Sequence, residues 1–496
     1  MGRLFTIGDS VSQGFRSGCT AFTEHAYSTH LARALGIAPS DYRLVLWEEE
    51  KLKFDLEALF RRLEGRFGVD VDWGEWPRAL LQIMGELDRA ETYFERGPGA
   101  IGQPVPSFSS PFTDNTAVEG MRVSDAWEIT PALCKHRIQR DSRGLDNNFG
   151  LACANQPFYR AAYRVLNPQA NDTFDAHSPI RWLEVVASSE GVDNLIVFLG
   201  ANNALGTLFS LDVRLTPGDG RSFTARSEDP TKPDPFNLWH PNDFERDYRQ
   251  LLEKICQAMA SNRNASWKAY VGTVPLVTIA PIIDGFGEER VVKDPRVPPG
   301  NAAGTFRYYQ YYKRYGVSDA TALSRRQNHL TFRDAQFIDN VILRYNTIIK
   351  QLLAEFNQRY SHSPFVLVDI GDVLSRMAWK RNSGMPNYVY PEEFQWLYPP
   401  LNTKFYKASK EGELLEGGIF SLDGVHPTVI GQGIIAWEFL KAFQANGSAP
   451  ASAAIDWPEI MKQDELYSKP IRVLDDLIEN DQVVDFFTQV MALLGR

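Results

Sequence analysis

Apolar residues along this chain fall into two kinds of run that alternate. The first kind is short and unbroken: Leu4 to Ile7, Asn194 to Leu199, Ala269 to Val274 and Phe365 to Ile370. Runs of this length, closed by glycine, proline or polar residues, fit strands of a sheet buried on both faces. The second kind repeats at helical spacing. Tyr27, Leu31, Ala34 and Leu35 make one such stripe ahead of Gly36, a helix stop. Leu56, Leu59, Phe60 and Leu63 make another, and Leu80, Leu81, Met84 and Leu87 a third, separated by a Gly/Trp-containing break at 72–77. Further helices are predicted over Trp182 to Ser189, from about Asn242 (Phe244, Tyr248, Leu251, Leu252, Ile255), and over Val429 to Phe443. The longest starts at Thr331 and Asp334, in capping-box positions, and carries Phe337, Val341, Ile342, Tyr345, Ile348, Ile349 and Leu352 on one face. Strands alternating with helices predict an α/β fold: a mostly parallel sheet with helices on both faces, three layers in all.

Composition narrows the function. Lys and Arg number 52 against 62 Asp and Glu, a net charge of −10, without the basic footprint of a nucleic-acid binder. No apolar run reaches the ~18 residues of a membrane span. Cys19, Cys134, Cys153 and Cys256 are scattered without a CxxC pair, which fits reduced, buried thiols better than a zinc site or a disulfide framework. The chain passes from Met1 straight into its first strand with no signal peptide, so a cytoplasmic location is expected. HExxH, GxxxxGK[ST] and GxGxxG are all missing, and neither a metal nor a cofactor is expected.

Candidate chemistry gathers where strands stop. The first strand ends in Gly8-Asp9-Ser10, with Gly14 four residues beyond the serine. A serine there is either a nucleophile or the N-cap of the next helix. Asn194 to Leu199 ends in Gly200-Ala201-Asn202-Asn203, asparagines that cap a turn or offer an amide N–H to an anion. Asp114 to Asp125 places small residues and Gly120 after a short extended stretch, as an ordinary surface turn or a close approach of backbone to ligand. Asp423 and His426, three apart just before a helix, can supply a base and the acid that orients it. His240 and His329 sit beside helix starts, where structural roles suffice. The aromatic cluster Phe306, Tyr308, Tyr309, Tyr311 and Tyr312 is expected to pack rather than to line a cleft.

In combination these segments resemble the SGNH hydrolases, also called the GDSL esterase/lipase family. Gly8-Asp9-Ser10-Val11-Ser12-Gln13-Gly14 is similar to the family's first block, Asn115 to Gly120 to its second, Gly200 to Asn203 to its third and Asp423 to Pro427 to its last, in the family's order. Asn148 to Cys153 rivals the second block, but puts Cys153 where the family has glycine. Asn203 stands where the family usually has aspartate. The resemblance implies a flavodoxin-like three-layer sheet, Ser10 as nucleophile, His426 as base, Asp423 as its partner, and an oxyanion hole from the N–H groups of Ser10 and Gly120 with the Asn202 amide. It implies hydrolysis of a small-molecule or lipid carboxylic ester, with acyl transfer to an alcohol, or binding without catalysis, as the alternatives. The blocks are spaced far wider than in compact members. Residues 1–447 are therefore expected to form one discontinuous domain, with insertions near 48–111, 205–241, 284–328 and 375–418 that form a cap. Residues 448–496 are expected to form a linker and helical tail.

Overall fold

The computed structural model describes residues 3–473 apart from 21, 48–49, 70–74, 107, 142–153, 230–231, 294–304 and 383. Four strands form an all-parallel sheet in chain order: β1 (Leu4–Gly8), β2 (Asn194–Phe198), β3 (Lys268–Gly272) and β4 (Phe365–Val368). β1 and β2 are buried along their whole length, as their unbroken apolar runs require. A further segment lies parallel to the free edge of β1. The Thr6 N–H donates to the Asp114 carbonyl at 2.8 Å, and the Thr116 N–H donates to the Thr6 carbonyl at 2.9 Å. The chain thus leaves β1 in one direction for residues 114–116 and returns to β2 on its other side. Between β1 and β2 the strand order reverses, and such a switch point opens a crevice at the carboxyl ends of the strands.

The labelled helices are α1 (Ser10–Gln13), α2 (Tyr27–Ala34), α3 (Leu56–Phe67), α4 (Trp76–Glu95), α5 (Pro179–Ser189), α6 (Pro241–Met259), α7 (Phe332–Asn357), α8 (Ile370–Met377) and α9 (Val429–Ala445). α2 packs on α9, where Tyr27 stacks on Phe439 at 5.0 Å, and Tyr270 of β3 stacks on Phe443 at 3.7 Å. α6 packs on α5 and α7, with Phe244 stacked on Tyr345 at 3.9 Å. The Thr331–Asp334 capping box opens α7 where its sequence places it. His240 caps α6 through its side chain, and the His329 ring hydrogen-bonds to the Ala322 carbonyl, so both histidines are structural.

Some expectations need correction. Residues 42–47, whose sequence reads as a strand or an extended segment, join no sheet. In α4 the packed face is Ala79, Ile83 and Leu87, while Leu81 is 68% and Met84 36% exposed. Two helical stripes were available in that sequence, and the partners across the interface select one. Phe337 lies outside the buried face of α7, at 43% exposure. Residues 284–328 are not a loop insertion: strands Ile283–Lys293 and Thr305–Arg314 pair as an antiparallel hairpin. Phe306, Tyr308 and Tyr312 fall on its buried face at the two-residue period of a strand. The described part of the tail, up to Val473, packs on the body. Leu466, Ile471 and Val473 share a second apolar cluster with Leu59, Leu63 and Ile83 of the first insertion and with Tyr406, Leu414 and Leu422.

A buried ion pair fastens the hairpin to the body. Asp339 of α7 accepts from the Arg381 guanidinium at 2.9 Å and from the Tyr308 hydroxyl at 2.8 Å, and the Thr278 hydroxyl bonds to both charged groups. Both side chains of the pair are fully buried, and the guanidinium lies 4.1 Å from the Tyr308 ring centroid. Removing one partner leaves the other charge dry and unpaired. Asp339→Ala is expected to lower stability by about 3–5 kcal/mol, read from urea unfolding; a loss below about 1 kcal/mol would show that water reaches Arg381.

Candidate active site

β1 ends at Gly8, where a side chain cannot fit: a Cβ would sit 2.1 Å from Ser12 Oγ. The chain turns there directly into α1. Asp9 is the N-cap, its Oδ1 accepting the Val11 N–H at 3.1 Å, and Ser10 is the first helical residue. The cap is therefore aspartate, and the Ser10 hydroxyl remains free for another partner. That partner is His426, whose Nε2 lies 2.8 Å from Ser10 Oγ across 416 residues of chain.

His426 is held from several sides. Its Nδ1 lies 2.9 Å from Asp423 Oδ2, and the Phe15 ring packs 4.5 Å from its centroid. Asp423 Oδ1 accepts the N–H groups of Val425 and His426, each at 2.8 Å, and Oδ2 also accepts the Gly18 N–H at 3.1 Å. Burial alone would raise this carboxyl's pKa; its interaction with the His426 imidazole and the N–H groups of His426 and Val425 instead hold it below the usual carboxylate range. An ionised Asp423 can only accept, so Nδ1 carries the imidazole proton and Nε2 presents its lone pair to Ser10. α9, which follows His426, is fastened to the serine turn through Gln432. Its Oε1 accepts the Tyr27 N–H at 2.9 Å and its Nε2 donates to the Val11 carbonyl at 3.0 Å.

Gly120 and Asn202 meet beside this group. The Val118 N–H donates to the Gly8 carbonyl at 3.3 Å and the Glu119 N–H to Gln13 Oε1 at 2.8 Å, which ties the Gly120 loop to the serine turn. Gly120 has φ +77°, a left-handed conformation that L side chains resist, although a Cβ there would meet nothing closer than 3.6 Å. The Asn202 amide donates one N–H to the Met121 carbonyl at 3.0 Å, which leaves its second hydrogen for a ligand. Asn203 supports the loop through Oδ1, which accepts the Val123 N–H at 3.2 Å. The rival segment 148–153 lies outside the described residues.

Several groups that shape the site carry no motif. Arg226, from the 205–241 insertion, donates to the Gly120 carbonyl at 2.7 Å, pairs with Asp125, and lies 3.9 Å over the Phe158 ring. Ser17, buried at φ +48°, donates to Glu57 of α3 at 2.6 Å, and its hydroxyl accepts the Leu422 N–H at 3.2 Å. Arg226 and Glu57 thus brace the loops on either side of Ser10 through hydrogen bonds. A pocket of about 70 Å³ opens on Ser10 and His426. Among the described residues no cluster of His, Cys, Asp or Glu could hold a metal, and no helix is long and apolar enough to cross a membrane. Cys19, Cys134 and Cys256 are free thiols. Comparison with family models, with curated proteins and with solved structures finds no match.

Asp9 also lines the pocket, and burial pushes its carboxyl up to about 7 against the pull of the Val11 N–H and of His426. Between pH 4 and 7 the folded state then holds a proton that the unfolded state has lost, so this group's contribution to stability falls as pH rises and levels off above about 7. Asn caps helices as well as Asp does. Asp9→Asn is expected to gain thermal stability over the wild type as pH goes from 4.5 to 8, and a pH-independent difference in Tm would count against a protonated Asp9.

Proposed function

We propose that this chain is a serine hydrolase of carboxylic esters, working through an acyl-enzyme on Ser10, on a flavodoxin-like three-layer fold of the SGNH type. The observation that carries this reading is the continuous chain of hydrogen bonds Asp423–His426–Ser10 at the carboxyl edge of a parallel sheet. The strand order supports it, because the serine leaves β1 and Asn202 follows β2, the two strands that flank the switch point. The helix groups α2/α9 and α5/α6/α7 would be its outer layers.

Ser10 Oγ attacks the acyl carbon while His426 Nε2 takes its proton, and ionised Asp423 stabilises the imidazolium that forms. The tetrahedral oxyanion accepts from the N–H groups of Ser10 and Gly120 and from the second hydrogen of the Asn202 amide. The Ser10 N–H is suited to this, since the first N–H of a helix has no acceptor within it. His426 then passes its proton to the departing alcohol. In the second half, water attacks the acyl-enzyme with His426 again as base, and Ser10 is regenerated.

A fluorophosphonate probe is expected to label Ser10, and Ser10→Ala to abolish both labelling and ester hydrolysis. Labelling that survives in Ser10→Ala would remove the nucleophile assignment. Asn202→Ala is expected to lower kcat by roughly 10²–10³-fold with KM little changed, the signature of a lost oxyanion donor. An unchanged kcat would take Asn202 out of the oxyanion hole.

A further inference from the structure

The loop that carries Gly120 is bound down along its length, with one exception. The N–H groups of Val118, Glu119, Met121, Arg122 and Val123 all have acceptors within the protein. Among the described residues nothing accepts the Gly120 N–H. The carbonyl of the same residue is held by Arg226. One guanidinium nitrogen, Nη2, donates to the Gly120 carbonyl at 2.7 Å and to Asp125 Oδ2 at 2.5 Å, while the Phe158 ring covers the guanidinium at 3.9 Å. Asp125 Oδ2 also accepts the Arg122 N–H at 2.8 Å, so a single nitrogen spans the turn from Gly120 to Asp125. The segment bearing Arg226 is anchored to this loop in return. Arg122 Nη1 donates to the Ala225 carbonyl at 2.7 Å and its Nη2 pairs with Asp234, whose Oδ1 accepts the Ser227 N–H at 2.7 Å.

We propose that Arg226 is a positioning residue for ester hydrolysis, holding Gly120 by its carbonyl so that the Gly120 N–H meets the oxyanion. The proposal rests on the serine-hydrolase reading and adds to it a residue of the 205–241 insertion. Glycine adopts left- and right-handed conformations with similar ease, so nothing in Gly120 itself fixes the direction of its N–H. The bond from Arg226 supplies that constraint. Its guanidinium is engaged by Gly120, Asp125 and Phe158, so it bears on the reaction through Gly120 rather than by contact with the ester. An oxyanion donor works by being fixed in place before charge develops, and it is worth more to the transition state than to the ground state. A loosened Gly120 therefore costs turnover and leaves substrate binding almost untouched.

The test is kcat and KM for p-nitrophenyl acetate, read beside Tm. Arg226→Met is expected to lower kcat roughly 10–10²-fold with KM within about twofold, because a misplaced donor forfeits much of what a deleted one does. The Lys ammonium has N–H groups enough for both the Gly120 carbonyl and Asp125, so Arg226→Lys is expected to recover at least about fivefold of that loss. An arginine that only stabilised the fold would lower Tm without this split or this recovery. Arg226→Met leaves Asp125 buried without its partner; should it fail to fold, Arg226→Met/Asp125→Asn removes both charges together and carries the same expectation. If neither folds, Arg226 is a structural residue and the proposal is overturned. A kcat near that of the wild type, a loss confined to KM, or no recovery in Arg226→Lys overturns it too. In each of these cases fluorophosphonate labelling of Ser10 in the wild type leaves the nucleophile standing. A wild type that neither labels nor hydrolyses the ester overturns both readings.

Discussion

A buried carboxylate is tolerated only when its charge is answered, and Asp423 sets that condition for everything near it. Three backbone N–H groups and the His426 imidazole converge on its two oxygens. Two of those N–H groups belong to its own turn; the third, from Gly18, arrives from the other end of the chain. The segment that presents Gly18 is held in turn by Ser17, Ser421 and Glu57. The orientation of the imidazole, and with it the approach to Ser10, is thus the last link in a chain of obligatory polar contacts that starts in an insertion helix.

The sheet imposes the complementary constraint. Parallel strands deliver all their carboxyl ends to one edge, so segments far apart in sequence meet there without further guidance. Gly8 makes the exit from β1 abrupt, Asp9 takes the capping duty, and the serine beside it is left with a hydroxyl and an unspent backbone N–H. Gln432 then fixes α9 against this turn from below. Few of these contacts depend on long flexible side chains, which suits a site whose geometry must hold to within a few tenths of an ångström.

The legible parts of this chain were those governed by local rules. Unbroken apolar runs gave the four parallel strands, the capping box at Thr331 gave the start of α7, and glycine and asparagine at strand ends marked the edge where Ser10, Gly120 and Asn202 lie. What stayed hidden depends on partners. Leu81 and Met84 satisfy a helical period as well as Ala79 and Ile83 do, and only the opposing surface chooses between them. The two strands at 283–293 and 305–314 were obscured because the first is largely charged and the second carries its tyrosines in adjacent pairs, so neither shows a clean two-residue alternation. Arg226, Gln432 and Ser17 meet backbone atoms of distant segments, and Gly18 offers only its own N–H to Asp423; such roles leave no signature at the residue's own position.

The second apolar cluster gathers residues from 54–87, 406–422 and 466–473. During synthesis these stretches leave the ribosome far apart in time. β1 and the serine turn emerge ahead of them, and more than four hundred residues follow before His426 exists to pair with Ser10. Loop-closure entropy rises only logarithmically with the length spanned, so the delay costs the finished fold little. It does mean that a nascent chain carries the Ser10 hydroxyl without its histidine partner, and that His426 arrives together with the segments that brace it.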